Sequence, residues 1–234
     1  MEQQLIYSAN TLYWIIFIGI AVASWIVSAS LERKFKKYSR VPLALTGKEV
    51  AEKMLRDNGI TDVQVTCTKG HLTDHYNPAE KTVNLSESVY NSASVAAAAV
   101  AAHECGHAIQ HDVAYAPLKM RTALVPVVSF AGKWMMWVLL AGMLLIHVAP
   151  GIMGFGVAMF ALTTLFSFIT LPVEIDASRR AVAWLDGAGI TSAETTPLAK
   201  SALRSAAYTY VVAALGSLAN LLYYILILMG SRRD

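Results

Sequence analysis

In the stretch AAHECGHAIQH, residues 101–111, two histidines stand four apart and a glutamate follows the first. Four residues make about one helical turn, so on a helix His103 and His107 project from one face and can offer ring nitrogens to a single metal. Glu104 begins about 100° further round, within reach of a water on that metal. Two imidazoles that hold Zn²⁺, with a carboxylate that takes a proton from the water the metal activates, are the parts of a metalloprotease. The pattern fixes only three residues and also arises by chance, so the rest of the chain must supply a third ligand and a place for the site.

Composition points to a membrane. Of 234 residues, 56% are hydrophobic and 15% charged, where soluble domains average about 25% charged. The apolar residues collect in runs long enough to cross a bilayer, which takes about 20 residues per helix. The first run, residues 12–31, lacks a small-residue cleavage site followed by a polar mature start and reads as an anchor that stays. The others cover 123–148, 151–171 and 208–230, which makes four spans. Lys133 interrupts the second; it either snorkels to the interface or faces the bundle interior. Cys67 and Cys105 form no CxxC pair and read as free thiols rather than a disulfide framework.

Charge orients the spans. Arg33, Lys34, Lys36, Lys37 and Arg40 crowd behind the first run, whereas the MEQQ start has no basic residue. By the positive-inside rule the amino terminus lies outside and residue 32 onward in the cytoplasm, a reading preferred over a lipid-headgroup or nucleic-acid site for the basic cluster. The expected divisions are a first transmembrane helix at 1–31, a cytoplasmic segment at 32–122 that carries HECGH, spans at 123–148 and 151–173, cytoplasmic helices at 174–207, and a fourth span at 208–230. On this scheme residues 172–181, PVEIDASRRA, emerge on the face that holds His103 and His107, and Arg179 with Arg180 agree with that side. The SRRD tail would lie outside, and its two arginines count against the scheme.

Within the cytoplasmic segment, residues 46–60 read as a helix capped by Thr46 and ended by Gly59. Residues 63–68 alternate like a strand, and a turn at Asn77-Pro78 leads to a short strand at 81–85. Ser92 or Ser94 then caps the helix that carries the motif, whose alanine face permits close packing.

A catalytic zinc takes a third protein ligand and keeps one position open. His111 continues the spacing of His103 and His107, but eight residues span about 12 Å of helix, too far for one metal. The metzincin pattern would place a histidine at Val113, so His111 reads as a surface residue or one that supports a ligand. Asp186 lies in WLDG, which resembles the Leu-Asp-Gly triplet of site-2 proteases, but outside any span, with Gly187 placed to stop a helix. Glu174 is the best candidate: it stands two residues after Pro172, at the start of an expected helix and on the face that topology requires. The competing reading for Glu174 is a carboxylate stabilised by a helix amino terminus. Asp176 can orient a ligand histidine or pair with Arg179 or Arg180.

Taken together, DHYNP, KTVNLS, VAAHECGHAIQH, PVEIDASRRAVAWL and AAYTYVVAAL resemble the YugP-like family of membrane zinc metallopeptidases over nearly the whole chain. The resemblance implies a gluzincin with His103, His107 and Glu174 as ligands and Glu104 as general base, distantly similar to HtpX-type membrane proteases. Those enzymes carry an aspartate four residues after the ligand glutamate; this chain has Ser178 there and Asp176 earlier.

The expected protein is thus a mainly α membrane protein, with four transmembrane helices and a small α+β zincin-like cytoplasmic portion built around the HExxH helix. Its expected activity is zinc-dependent endoproteolysis of membrane-associated proteins or peptides at the cytoplasmic surface of the cell membrane, with the bilayer as partner and no nucleic acid. A strand edge near Thr82–Leu85 is expected to hold substrate extended, and His75, Tyr208, Tyr210 and Arg179 are the candidate oxyanion or substrate contacts. Two alternatives stand beside it: intramembrane cleavage with Asp186 as ligand, or a structural zinc completed by His111 or Asp176.

Overall fold

The computed structural model describes residues 2–230, and the SRRD tail, expected on the outer side, falls outside the described residues. Seven helices and three strands follow one another as α1 (Glu2–Tyr38), α2 (Gly47–Asp57), β1 (Gln64–Thr68), β2 (His75–Asn77), β3 (Thr82–Ser86), α3 (Glu87–Tyr90), α4 (Val95–Asp112), α5 (Ala116–Leu144), α6 (Pro150–Gly187) and α7 (Thr196–Gly230). Four stretches are long and apolar enough to cross a membrane: Tyr13–Tyr38, Ala116–Leu144, Pro150–Gly187 and Thr196–Gly230. Lys133 is exposed on α5, which removes the reading that it faces a bundle interior.

The chain divides into two compact units. One takes Met1–Ile26, Met120–Thr170 and Thr209–Asp234; the other takes Val27–Lys119 and Leu171–Tyr208. In the first unit, Leu139, Met153, Val157 and Leu221 form the packed centre. Glycine lets its helices close: a Cβ at Gly142 would stand 2.6 Å from the Met153 backbone, the small-residue packing expected where no hydrophobic force drives helices together.

The second unit is the one that builds a site. Its core runs through Val50, Met54, Leu85, Val89 and Val95 and along the alanines of α4. Local signals set its pieces. Thr46 and Glu49 form a reciprocal capping box at the start of α2, and Gly59 adopts φ 73° just beyond its end. The Ser94 side chain accepts the Ala97 N–H at the start of α4.

Three expectations need correction. The sheet order is β1-β3-β2, with β1 parallel and β2 antiparallel to β3. Thr82–Leu85 therefore lies in the central strand, whose backbone is paired on both sides, and cannot add a substrate strand. The strand itself was expected at 81–85, after the Asn77-Pro78 turn, and stands at Thr82–Ser86, but a short window does not separate a centre from an edge. Pro172 does not open a new helix; it sits inside α6, so Glu174 is a mid-helix residue. Proline interrupts one hydrogen bond without ending a long apolar helix whose other turns are held. Finally, residue 208 is not a helix end: α7 runs unbroken from Thr196 to Gly230, joining the close of the expected helical segment 174–207 to the expected fourth span 208–230.

Candidate metal centre

His103 and His107 sit on α4 and Glu174 on α6. What lets these helices meet is Gly106, between Cys105 and His107: a Cβ there would lie 2.7 Å from the Ala177 carbonyl oxygen. On the neighbouring face of α4, Cys105 points its Sγ at the Ala51 carbonyl, 3.6 Å away. That thiol is fully buried, and burial, followed by the charge of Glu104, pushes its pKa up, so it is neither ligand nor nucleophile.

One oxygen of Glu174 lies 3.3 Å from His103 Nε2 and 3.5 Å from His107 Nε2. One donor atom from each residue falls within 4.8 Å of the other two. Tetrahedral zinc with bonds of about 2.0–2.1 Å holds its donors roughly 3.3 Å apart, so the set fits that ion in chemistry, and its two glutamate-to-histidine distances fit in spacing. Asp186 is not part of it. That carboxylate accepts the Thr196 hydroxyl at 3.0 Å, tying the end of α6 to the start of α7.

Glu104 is buried beside the ligands. Burial disfavours the charged form of His107. The hydrogen bond to Glu174 and the charges of Glu104 and Glu174 outweigh that effect and hold its pKa above the ordinary histidine value. Glu104 is thus close enough for its charge to act on a ligand ring.

Both ligand rings are held from behind. Ser178 Oγ lies 3.1 Å from His103 Nδ1, and Gln110 Oε1 lies 3.1 Å from His107 Nδ1. The Gln110 amide in turn donates to the Val173 carbonyl at 2.8 Å and to Asp176 Oδ2 at 3.0 Å. Asp176 also accepts from Arg180 Nε at 2.6 Å and from Arg179 at 2.7 Å. Asp176 therefore reaches a ligand only through Gln110, not directly as expected, and it pairs with both arginines.

Sequence reasoning passed over Gln110 and Ser178. The signal for Gln110 was its place three residues after His107, on the same helical face. The signal for Ser178 was its place four after Glu174, where an aspartate was expected.

The other expected contacts lie elsewhere. His111 is exposed, with its ring 6.0 Å from that of Tyr76, so it supports no ligand. His75 Nδ1 meets the Thr73 carbonyl oxygen at 2.8 Å, and its Nε2 lies 3.3 Å from Asn84. Tyr208 accepts from Arg204 at 2.8 Å, and Tyr210 is exposed in the first unit. Arg179, one of the four candidate oxyanion or substrate contacts, is joined through Asp176 and Gln110 to His107.

Residues 13–229 match the family described as "Putative neutral zinc metallopeptidase". The chain is 39% identical over 223 residues to the "Putative membrane protease YugP" of Bacillus subtilis (strain 168), covering 94% of this chain and 98% of that protein. No solved structure matches the chain.

Proposed function

This chain belongs to that zinc metallopeptidase family, and from that premise we propose that it is a membrane-bound zinc endopeptidase in which His103, His107 and Glu174 hold the metal and Glu104 is the general base. The observation that carries the reading is the convergence of two Nε2 atoms and one carboxylate oxygen at zinc-donor spacing. Zinc bound there would supply Lewis-acid polarisation of the scissile carbonyl and a more acidic water. Glu104 takes the proton from the attacking water and passes it to the leaving amine. Three donors, rather than four, in the group found among the described residues favour a catalytic over a structural site.

Substrates are proteins or peptides associated with the bilayer, cut at its cytoplasmic surface. In support, Lys119 and Arg121 precede the second apolar run, Arg179 and Arg180 follow the third, and Lys200 and Arg204 precede the fourth. The connection between α5 and α6, residues 145–149, has no Lys or Arg. An extended substrate would pair with β2, an edge strand packed on α4, instead of with β3. Intramembrane cleavage through Asp186 loses ground because that carboxylate is engaged with Thr196.

The test is Glu104→Gln in the detergent-purified protein. Zinc is retained and casein cleavage falls by at least about 100-fold, the usual contribution of a general base. Undiminished cleavage with zinc retained would remove Glu104 from the mechanism.

A further inference from the structure

We infer that Gln110 is a positioning residue that fixes the protonation of His107, with Asp176 and the Val173 carbonyl locking its amide in the one orientation able to do so. This rests on the proposed reading of His107 as a zinc ligand. The argument is one of donors and acceptors. The Val173 carbonyl and the Asp176 carboxylate only accept, so the Gln110 nitrogen that faces them at 2.8 and 3.0 Å must be the NH₂. The atom turned to His107 Nδ1 is therefore the carbonyl oxygen, which only accepts. His107 must then carry a proton on Nδ1, and Nε2, the nitrogen turned to Glu174, is the one offered to a metal.

Burial makes this assignment costly to break. Gln110 is fully buried and Asp176 nearly so, and a flipped amide would set oxygen against two acceptors in a site closed to bulk solvent. Arg180 and Arg179 hold Asp176 in place from outside, with Arg179 mostly exposed. The relay therefore runs from the surface arginines to a metal-binding nitrogen, through one amide that has a single satisfied orientation. His103 has no such lock, because the Ser178 hydroxyl can either donate or accept.

The experiment measures zinc affinity by chelator competition in detergent. It also reads the His107 Nδ1–H of the zinc-loaded protein from side-chain ¹H–¹⁵N resonances, assigned with His107→Ala. In Gln110→Leu, zinc affinity falls by about 10- to 100-fold, the range for lost partners of ligand histidines, and the Nδ1–H resonance moves upfield as its hydrogen bond is lost. A merely structural role would leave that resonance in place. Affinity within twofold of wild type, or an unshifted Nδ1–H, overturns the inference. Should Gln110→Leu fail to fold, the isosteric Asp176→Asn decides. It weakens zinc by about threefold or more, below the 10- to 100-fold of a direct partner because the Gln110 amide keeps the Val173 carbonyl, and an unchanged affinity overturns the inference. Zinc retained by His107→Ala, or no zinc bound by wild type, would instead overturn the ligand assignment itself.

Discussion

His103 and His107 differ in what stands behind them, and that difference sets how each responds to substitution. Gln110 and Asp176 are buried, whereas the Ser178 hydroxyl lies against a ring whose side chain is 14% exposed. Water can take the place of that hydroxyl, so Ser178→Ala should weaken zinc binding by no more than about tenfold, the low end for lost ligand partners, as chelator competition would show. A loss larger than that of Gln110→Leu would reverse the order of importance given to the two supports. The three motif residues were legible in sequence because their spacing equals a helical turn. Glu174 was legible through topology and family resemblance. Gln110 was not, because a glutamine gives no hint of a metal until the helix bearing its acceptors, Val173 and Asp176, is in place.

At the scale of elements, the centre depends on how closely α4 and α6 approach. Gly106 is the position where that approach leaves no room for a side chain. Gly106→Ala must push α6 away or distort α4, at a cost of roughly 1–3 kcal/mol, and it should separate Glu174 from the histidines. The expected outcome is a folded but less stable protein that binds zinc at least tenfold more weakly; wild-type affinity would show that the contact is not limiting. The helices α2 and α4 and the strands β1 and β3 could be read from caps and alternation to within a residue or two. Strand order could not, since β1 and β3 pair in parallel across the inserted β2, a non-local choice that no short window encodes. The continuity of α6 through Pro172 was missed for a similar reason: proline announces a break only where neighbouring turns cannot hold the helix.

For the whole molecule, the remaining question is which side of the membrane holds the second unit. Its two thiols give a single reporter, because Cys67 is exposed and Cys105 is buried with its pKa pushed up. In right-side-out vesicles a membrane-impermeant maleimide should leave Cys67 unlabelled until the vesicles are lysed, and labelling of intact vesicles would put the site on the outer face. Length and apolarity made four membrane-crossing helices plain from sequence, but they do not reveal that α7 starts at Thr196, within the unit that carries the site. The account stands or falls on the metal. Zinc content should be measured in the full-length protein purified in detergent, comparing wild type with Glu174→Ala and Asp186→Ala. One zinc per chain in wild type and in Asp186→Ala, with loss in Glu174→Ala, is the predicted result. A metal-free wild type, or loss with Asp186→Ala while Glu174→Ala keeps its zinc, would contradict it.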